Sequence, residues 1–236
     1  MVRIDWSAYP RDATFVDLQS KGITEMNWEN APLNLTEVWL GLNQITHMNW
    51  VNAPPNLTVV DLSHNGLTHI NWENAPPNFS IVSLISNRLT HMNWDNAPPN
   101  LSIVSLISNR LTHMNWDNAP SQLKVVHLGN NQINSMNWDH SPPNLTEVEL
   151  SGNRITKINL ENVPKTLIDV FPYNRHFKEY KAARRIQRVY LRHYTRRKAA
   201  ATKIVNGCHN WVWKPLCKDG TIGIRPRLDT LELGLN

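Results

Sequence analysis

Apolar residues recur along most of the chain on a 22-residue lattice. One unit, residues 35–56, reads Leu-Thr-Glu-Val-Trp-Leu-Gly-Leu-Asn-Gln-Ile-Thr-His-Met-Asn-Trp-Val-Asn-Ala-Pro-Pro-Asn. Successive units start at Ala13, Leu35, Leu57, Phe79, Leu101, Leu123, Leu145 and Leu167. In each, the pattern L-x-x-V-x-L-x-x-N-x-I predicts a short strand such as Val38-Trp39-Leu40, with alternate side chains inward. Strands of successive units are expected to pair in parallel, about 4.8 Å apart. The Asn of each unit (Asn43, Asn65, Asn87, Asn109, Asn131, Asn153) falls where the chain must turn. Its amide is expected to satisfy backbone groups of the neighbouring turn, giving an internal ladder. The second half, M-N-W-x-N-A-P-P-N, is too short and too rich in proline for a regular helix, and predicts extended polyproline or short turns.

The lattice also marks the ends. Ile4 to Pro10 fits the second half of a unit, so residues 1–12 are read as a degenerate N-terminal cap. Leu160 stands where Trp is expected, and Pro172 where the strand's second leucine belongs. Proline cannot donate to a ladder, so the repeats, seven full and a truncated eighth, are expected over residues 13–174. A basic amphipathic helix is predicted over 175–205 and a small tail, irregular or a β-hairpin, over 206–236. Residues Ser80–Pro98 and Ser102–Pro120 are identical, the mark of an internal duplication.

The core pattern and its period resemble the leucine-rich-repeat superfamily. The prolines just before each new leucine are similar to the bacterial type, whose convex side is thin and extended. A 22-residue period also occurs in the helical protein-phosphatase-regulator class, but Ala-Pro-Pro falls where that class needs a helix turn. The Asn-Trp-x-Asn-Ala-Pro-Pro style resembles leucine-rich-repeat proteins of large DNA viruses of amoebae. The resemblance implies a repeat solenoid, a right-handed superhelix with a parallel concave β-sheet, and a role in binding other proteins.

Composition and charge refine this picture. Ten Trp beside four Phe, with 15 Pro, is the bias a repeated unit produces. No run of 18 apolar residues occurs, so no membrane-spanning helix is expected. Met1 to Asp12 has no apolar segment of the secretory kind, and both cysteines, Cys208 and Cys217, lie in the tail. A reducing, cytoplasmic setting is therefore expected, the host cytoplasm if the chain is viral. The net charge of +5 hides an asymmetry: residues 13–164 hold six Lys/Arg against twelve Asp/Glu, and residues 165–236 sixteen against five. A basic tail on an acidic body suggests two surfaces with two partners, or a tail folded on the body.

The candidate chemistry is that of recognition. Outward strand positions, the third, fifth and seventh of each unit, vary while the framework stays constant. They place Val59, Ile81, Ile85, Ile103, Ile107 and Val125 at the centre of the concave face. Glu37, Trp39 and Asp61 lie toward one end, and His127, Glu147 and Glu149 toward the other. An apolar strip ringed by charge is a protein-contact pattern, although β-branched residues also simply suit a parallel sheet. The Trp repeated at one place in every unit is expected to fill the core. The repeated His47, His69, His91 and His113 are read as copied surface residues, not as a metal site. The sequons at Asn34, Asn56, Asn78, Asn100 and Asn144 arise from the unit junction and are expected to be unused without a signal sequence.

In the tail, Phe177, Tyr180, Ala183, Ile186, Tyr190 and Tyr194 form one stripe amid arginines and lysines. Ile186, Gln187, Tyr190, Leu191, Arg192 and Arg196 resemble an IQ motif, the binding element for calmodulin and related light chains. Here the central arginine comes one residue late and the usual glycine is missing. The resemblance implies a calmodulin-like or acidic partner, in preference to nucleic acid. No P-loop, nucleophile elbow or zinc spacing is present. The expected function is a non-enzymatic protein-binding scaffold without cofactor, reading its partner on the concave face. The alternative is binding through the basic helix, with the solenoid as spacer.

Overall fold

A computed structural model of the chain describes residues 4–159, 162–167 and 169–171. The basic helix expected over 175–205, its IQ-like residues and the tail beyond lie outside the described residues.

Each unit contributes a three-residue strand to one parallel sheet. The strands are β1 (Phe15–Asp17), β2 (Glu37–Trp39), β3 (Val59–Asp61), β4 (Ile81–Ser83), β5 (Ile103–Ser105), β6 (Val125–His127), β8 (Glu147–Glu149) and β10 (Asp169–Phe171). They are hydrogen-bonded in the order β1-β2-β3-β4-β5-β6-β8-β10, each residue facing its counterpart 22 positions on, as Val38 faces Val60 and Val60 faces Val82. The short strands β7 (Ser135–Met136) and β9 (Lys157–Ile158) pair separately, also in parallel. The main strands are short because the eighth position of each unit takes a positive φ, from Ser20 and Leu42 to Gly152. That conformation ends an extended segment and turns the chain off the sheet.

The core is the inward row. Leu35, Val38, Leu40 and Ile45 are buried, as are their equivalents in the following units. Beneath the turn runs the asparagine ladder. Asn109 Oδ1 accepts from the backbone N–H of Leu89 at 3.0 Å, while its Nδ2 donates to the carbonyls of Leu84 and Leu106 at 2.9 and 3.0 Å. Asn43, Asn65, Asn87 and Asn131 make the same bonds. One side chain per unit thus satisfies a buried donor and two buried acceptors that the turn leaves open.

The proline-rich half resolves into two β-turns per unit. In the first, Ala53 N–H donates to the Trp50 carbonyl at 2.9 Å, and Asn52 adopts φ 63°, which asparagine tolerates. Asn49 Oδ1 braces it by accepting from Val51 N–H at 3.0 Å. In the second, Leu57 N–H donates to the Pro54 carbonyl at 3.1 Å, with Pro55 preset at the second corner. The Trp that opens the first turn has its side chain in the core. Trp28, Trp50, Trp72, Trp94, Trp116 and Trp138 are all buried, and the indoles of Trp28–Trp50, Trp50–Trp72 and Trp116–Trp138 stack, with centroids 6.2, 6.5 and 6.4 Å apart. Each indole N–H from Trp28 to Trp116 donates to the Asn carbonyl of the next unit, as Trp50 does to Asn71 at 2.7 Å. The Trp ladder is core, as the sequence led us to expect. Trp6 continues the stack at the N-terminal end, 5.8 Å from Trp28 and bonded to the Asn27 carbonyl.

Candidate protein-binding face

Strand pleating sends the fourth and sixth residues of each unit into the core and leaves the third and fifth outward. The registers stack these outward residues into columns. Val59, Ile81, Ile103 and Val125 stand side by side in one column, and Asp61, Ser83, Ser105 and His127 in the next. Ile85 and Ile107 lie beyond, at the seventh position, and all six aliphatic residues are half-buried. Four of them come from the two duplicated units, so the duplication doubled the apolar patch. The chemistry-bearing residues at the two ends of the face are kept apart by this patch.

At the N-terminal end, Phe15 meets Trp39 edge-on, with centroids 5.0 Å apart, and the Trp39 indole donates to Glu37 Oε1 at 2.7 Å. Trp39 remains 38% exposed, unlike the ladder tryptophans. Asp17 and Asp61 each accept the backbone N–H two residues on, at 2.9 Å, and Glu149 does the same for Ser151 at 2.7 Å. These carboxylates therefore brace the strand-to-turn junction as well as charging the face. At the other end, His127 Nε2 lies 3.5 Å from Glu147 Oε1. The hydrogen bond to Glu147 raises the His127 pKa above its ordinary 6.5, partly opposed by burial, with the Glu147 and Glu149 charges adding to the rise.

Ser83 and Ser105 were not singled out by sequence reasoning, yet they form the floor between the isoleucine columns. Ser105 is 8% exposed, and its Oγ has no hydrogen-bond partner. The only sequence signal was a small polar residue at the fifth position of the two most apolar units. The repeated histidines are exposed, and His47, His69, His91 and His113 each bond their own preceding threonine hydroxyl through Nδ1 at 3.0–3.2 Å. Among the described residues no group of three or more His, Cys, Asp or Glu side chains is arranged to hold a metal ion, and no helix is long and apolar enough to cross a membrane.

A family model described as Leucine Rich repeat matches residues 53–69 and 141–157. Solved structures carry the likeness over most of the described chain. TLR13 in its complex with ssRNA13 superposes with a TM-score of 0.62 at 22% identity, covering 68% of this chain and 25% of that one. The fold is a leucine-rich-repeat solenoid. YopM from Yersinia enterocolitica matches with a TM-score of 0.57 at 20% identity, over 73% of this chain and 35% of that one. The functional domain of InlJ from Listeria monocytogenes matches with a TM-score of 0.55 at 18% identity, over 73% and 42%. That domain includes a cysteine ladder, whereas the ladders of this solenoid are asparagine and tryptophan. The chain thus spans well under half the length of these solved relatives, and no curated protein matches its sequence. Leucine-rich-repeat solenoids commonly serve as protein-interaction scaffolds, through the extended concave surface that stacking creates.

Proposed function

We propose that the protein is a non-enzymatic recognition scaffold whose concave sheet binds a partner protein. The observation that carries this reading is the aliphatic cluster of Val59, Ile81, Ile85, Ile103, Ile107 and Val125. These residues are only half-buried on a surface where the repeat itself imposes no apolar choice. Apolar side chains left open to water at the centre of a face, with charges at its rim, are the usual anatomy of a protein contact. Trp39 adds an aromatic anchor of the type that dominates binding energy. The carboxylates serve orientation and the electrostatics of approach rather than acid–base chemistry, since Asp61 and Glu149 are engaged by backbone N–H groups.

The test compares immobilised full-length protein, the Ile81→Glu plus Ile103→Glu variant, and residues 175–236 alone, each exposed to cell lysate at low and high salt. Partners kept at high salt by the full-length protein and lost in the variant are the expected result. Recovery of the same partners by 175–236 alone, with release by salt, would transfer the function to the basic tail and to a calmodulin-like or polyanionic partner.

A further inference from the structure

Building on the concave-face reading, we infer that the partner contributes a segment that is cationic at both ends and aliphatic in the middle. It lies across the strands, along the trough between the isoleucine rows. Three independent features point to this chemistry.

The first is charge. Among the described side chains at the third, fifth and seventh strand positions there is no Lys or Arg. Asp17, Glu37 and Asp61 charge one end, and Glu147 and Glu149 the other. Residues 13–164 hold six Lys/Arg and twelve Asp/Glu, and these concave positions take five of the twelve carboxylates and none of the six basic side chains. An anionic partner, nucleic acid included, meets repulsion at both ends of this face, while lysine or arginine is steered to it.

The second is shape. Ile81 and Ile103 form one wall, Ile85 and Ile107 the other, and Ser83 and Ser105 are adjacent on the floor between them. Small side chains between two branched rows leave a trough running across the strands, parallel to the solenoid axis. Ser105 is 8% exposed, so the floor of the trough is closed beneath the isoleucine rows.

The third is length. From Asp61 on β3 to Glu147 on β8 the sheet takes four strand steps, and at about 4.8 Å per step the two anionic ends lie roughly 19 Å apart. A helix of about 13–16 residues places its terminal cations at that separation, with its central turn over the isoleucines.

The experiment uses the full chain and three fluorescein-labelled synthetic peptides of about 16 residues. One has a Leu/Ile centre with lysines at both ends, one the same centre with glutamates at both ends, and one the first composition shuffled. Anisotropy titration at about 0.15 M salt should show the lysine-ended peptide binding at least about tenfold more tightly than either other peptide. The Glu37→Gln plus Glu147→Gln variant, which retains hydrogen-bond acceptors, should narrow that preference. Equal binding of the glutamate-ended or shuffled peptide, abolished by Ile81→Glu plus Ile103→Glu, overturns the inference and leaves the concave-face reading standing. Tight lysine-ended binding that survives that double variant overturns both. Failure of every peptide to bind at about 0.1 mM overturns the inference alone.

Discussion

Single residues in this solenoid carry loads that their sequence positions only partly announce. Asn109 closes one donor and two acceptors inside the turn. Asn109→Ala should therefore cost roughly 1–3 kcal/mol, read as a shift in the urea midpoint, because the Leu89 N–H is left buried and unpaired while the Leu84 and Leu106 carbonyls keep the Asn87 and Asn131 amides. Leu42 presents the opposite case: it is 55% exposed and held at φ 57°, a conformation that disfavours a bulky side chain. Leu42→Gly should leave stability unchanged or raise it by up to about 1 kcal/mol, since relief of the left-handed backbone is offset by glycine's greater unfolded-state entropy. His127 sets a pH dependence. Its pKa is raised in the folded protein, first by the hydrogen bond to Glu147, so its stabilising contribution is complete below the ordinary value of 6.5. That contribution fades as pH rises through the raised value. Relative to His127→Gln, the wild-type urea midpoint should accordingly be higher at about pH 5.5, with the advantage gone by about pH 8.5.

At the scale of elements, the tryptophans show how one residue type divides between structure and surface. Trp94 is buried and donates its indole N–H to the Asn115 carbonyl at 2.9 Å. Trp94→Phe removes that bond and leaves a small void, a loss of about 2 kcal/mol in chemical unfolding. Trp39→Phe, on the exposed concave side, should change stability by no more than about 0.5 kcal/mol while weakening partner binding. The indole stack and the two turns per unit also explain how so thin a convex half stays folded. The Trp fills the space a helix would otherwise occupy, and the turns around it are set by Asn at positive φ and by Pro at a corner.

At the scale of the whole molecule, each unit touches only its neighbours, and stability is distributed along the stack. Deleting residues 80–101 joins Phe79 to Ser102 and regenerates an unbroken unit, because Ser80–Pro98 and Ser102–Pro120 are identical. The shortened chain should keep its β-rich circular dichroism spectrum. Its urea m-value should fall in proportion to the one strand removed from eight. It should also bind its partner far less well, since Ile81 and Ile85, or their copies, are lost with the unit. Retained stability with lost binding separates the apolar patch from the framework that carries it.

The 22-residue lattice determined the parallel strands, their one-unit register, the inward leucines and the asparagine ladder. Those features depend on what every unit shares, and shared features are visible as repetition. The concave columns were legible for the same reason: once register follows from period, residues 22 apart must stand side by side. Three features were decided only in the folded molecule. The alternation between polyproline and turns was settled by backbone hydrogen bonds from Ala to Trp and from Leu to Pro. The destination of each indole N–H, a carbonyl of the next unit, depends on the stacking distance between repeats. The burial of the Ser105 hydroxyl and the pairing of His127 with Glu147 arise from side chains on neighbouring strands, whose sizes and reach no single unit specifies. Repetition therefore wrote the framework into the sequence. The chemistry of the concave face came from differences between units, and those acquire meaning only when the units are stacked against one another.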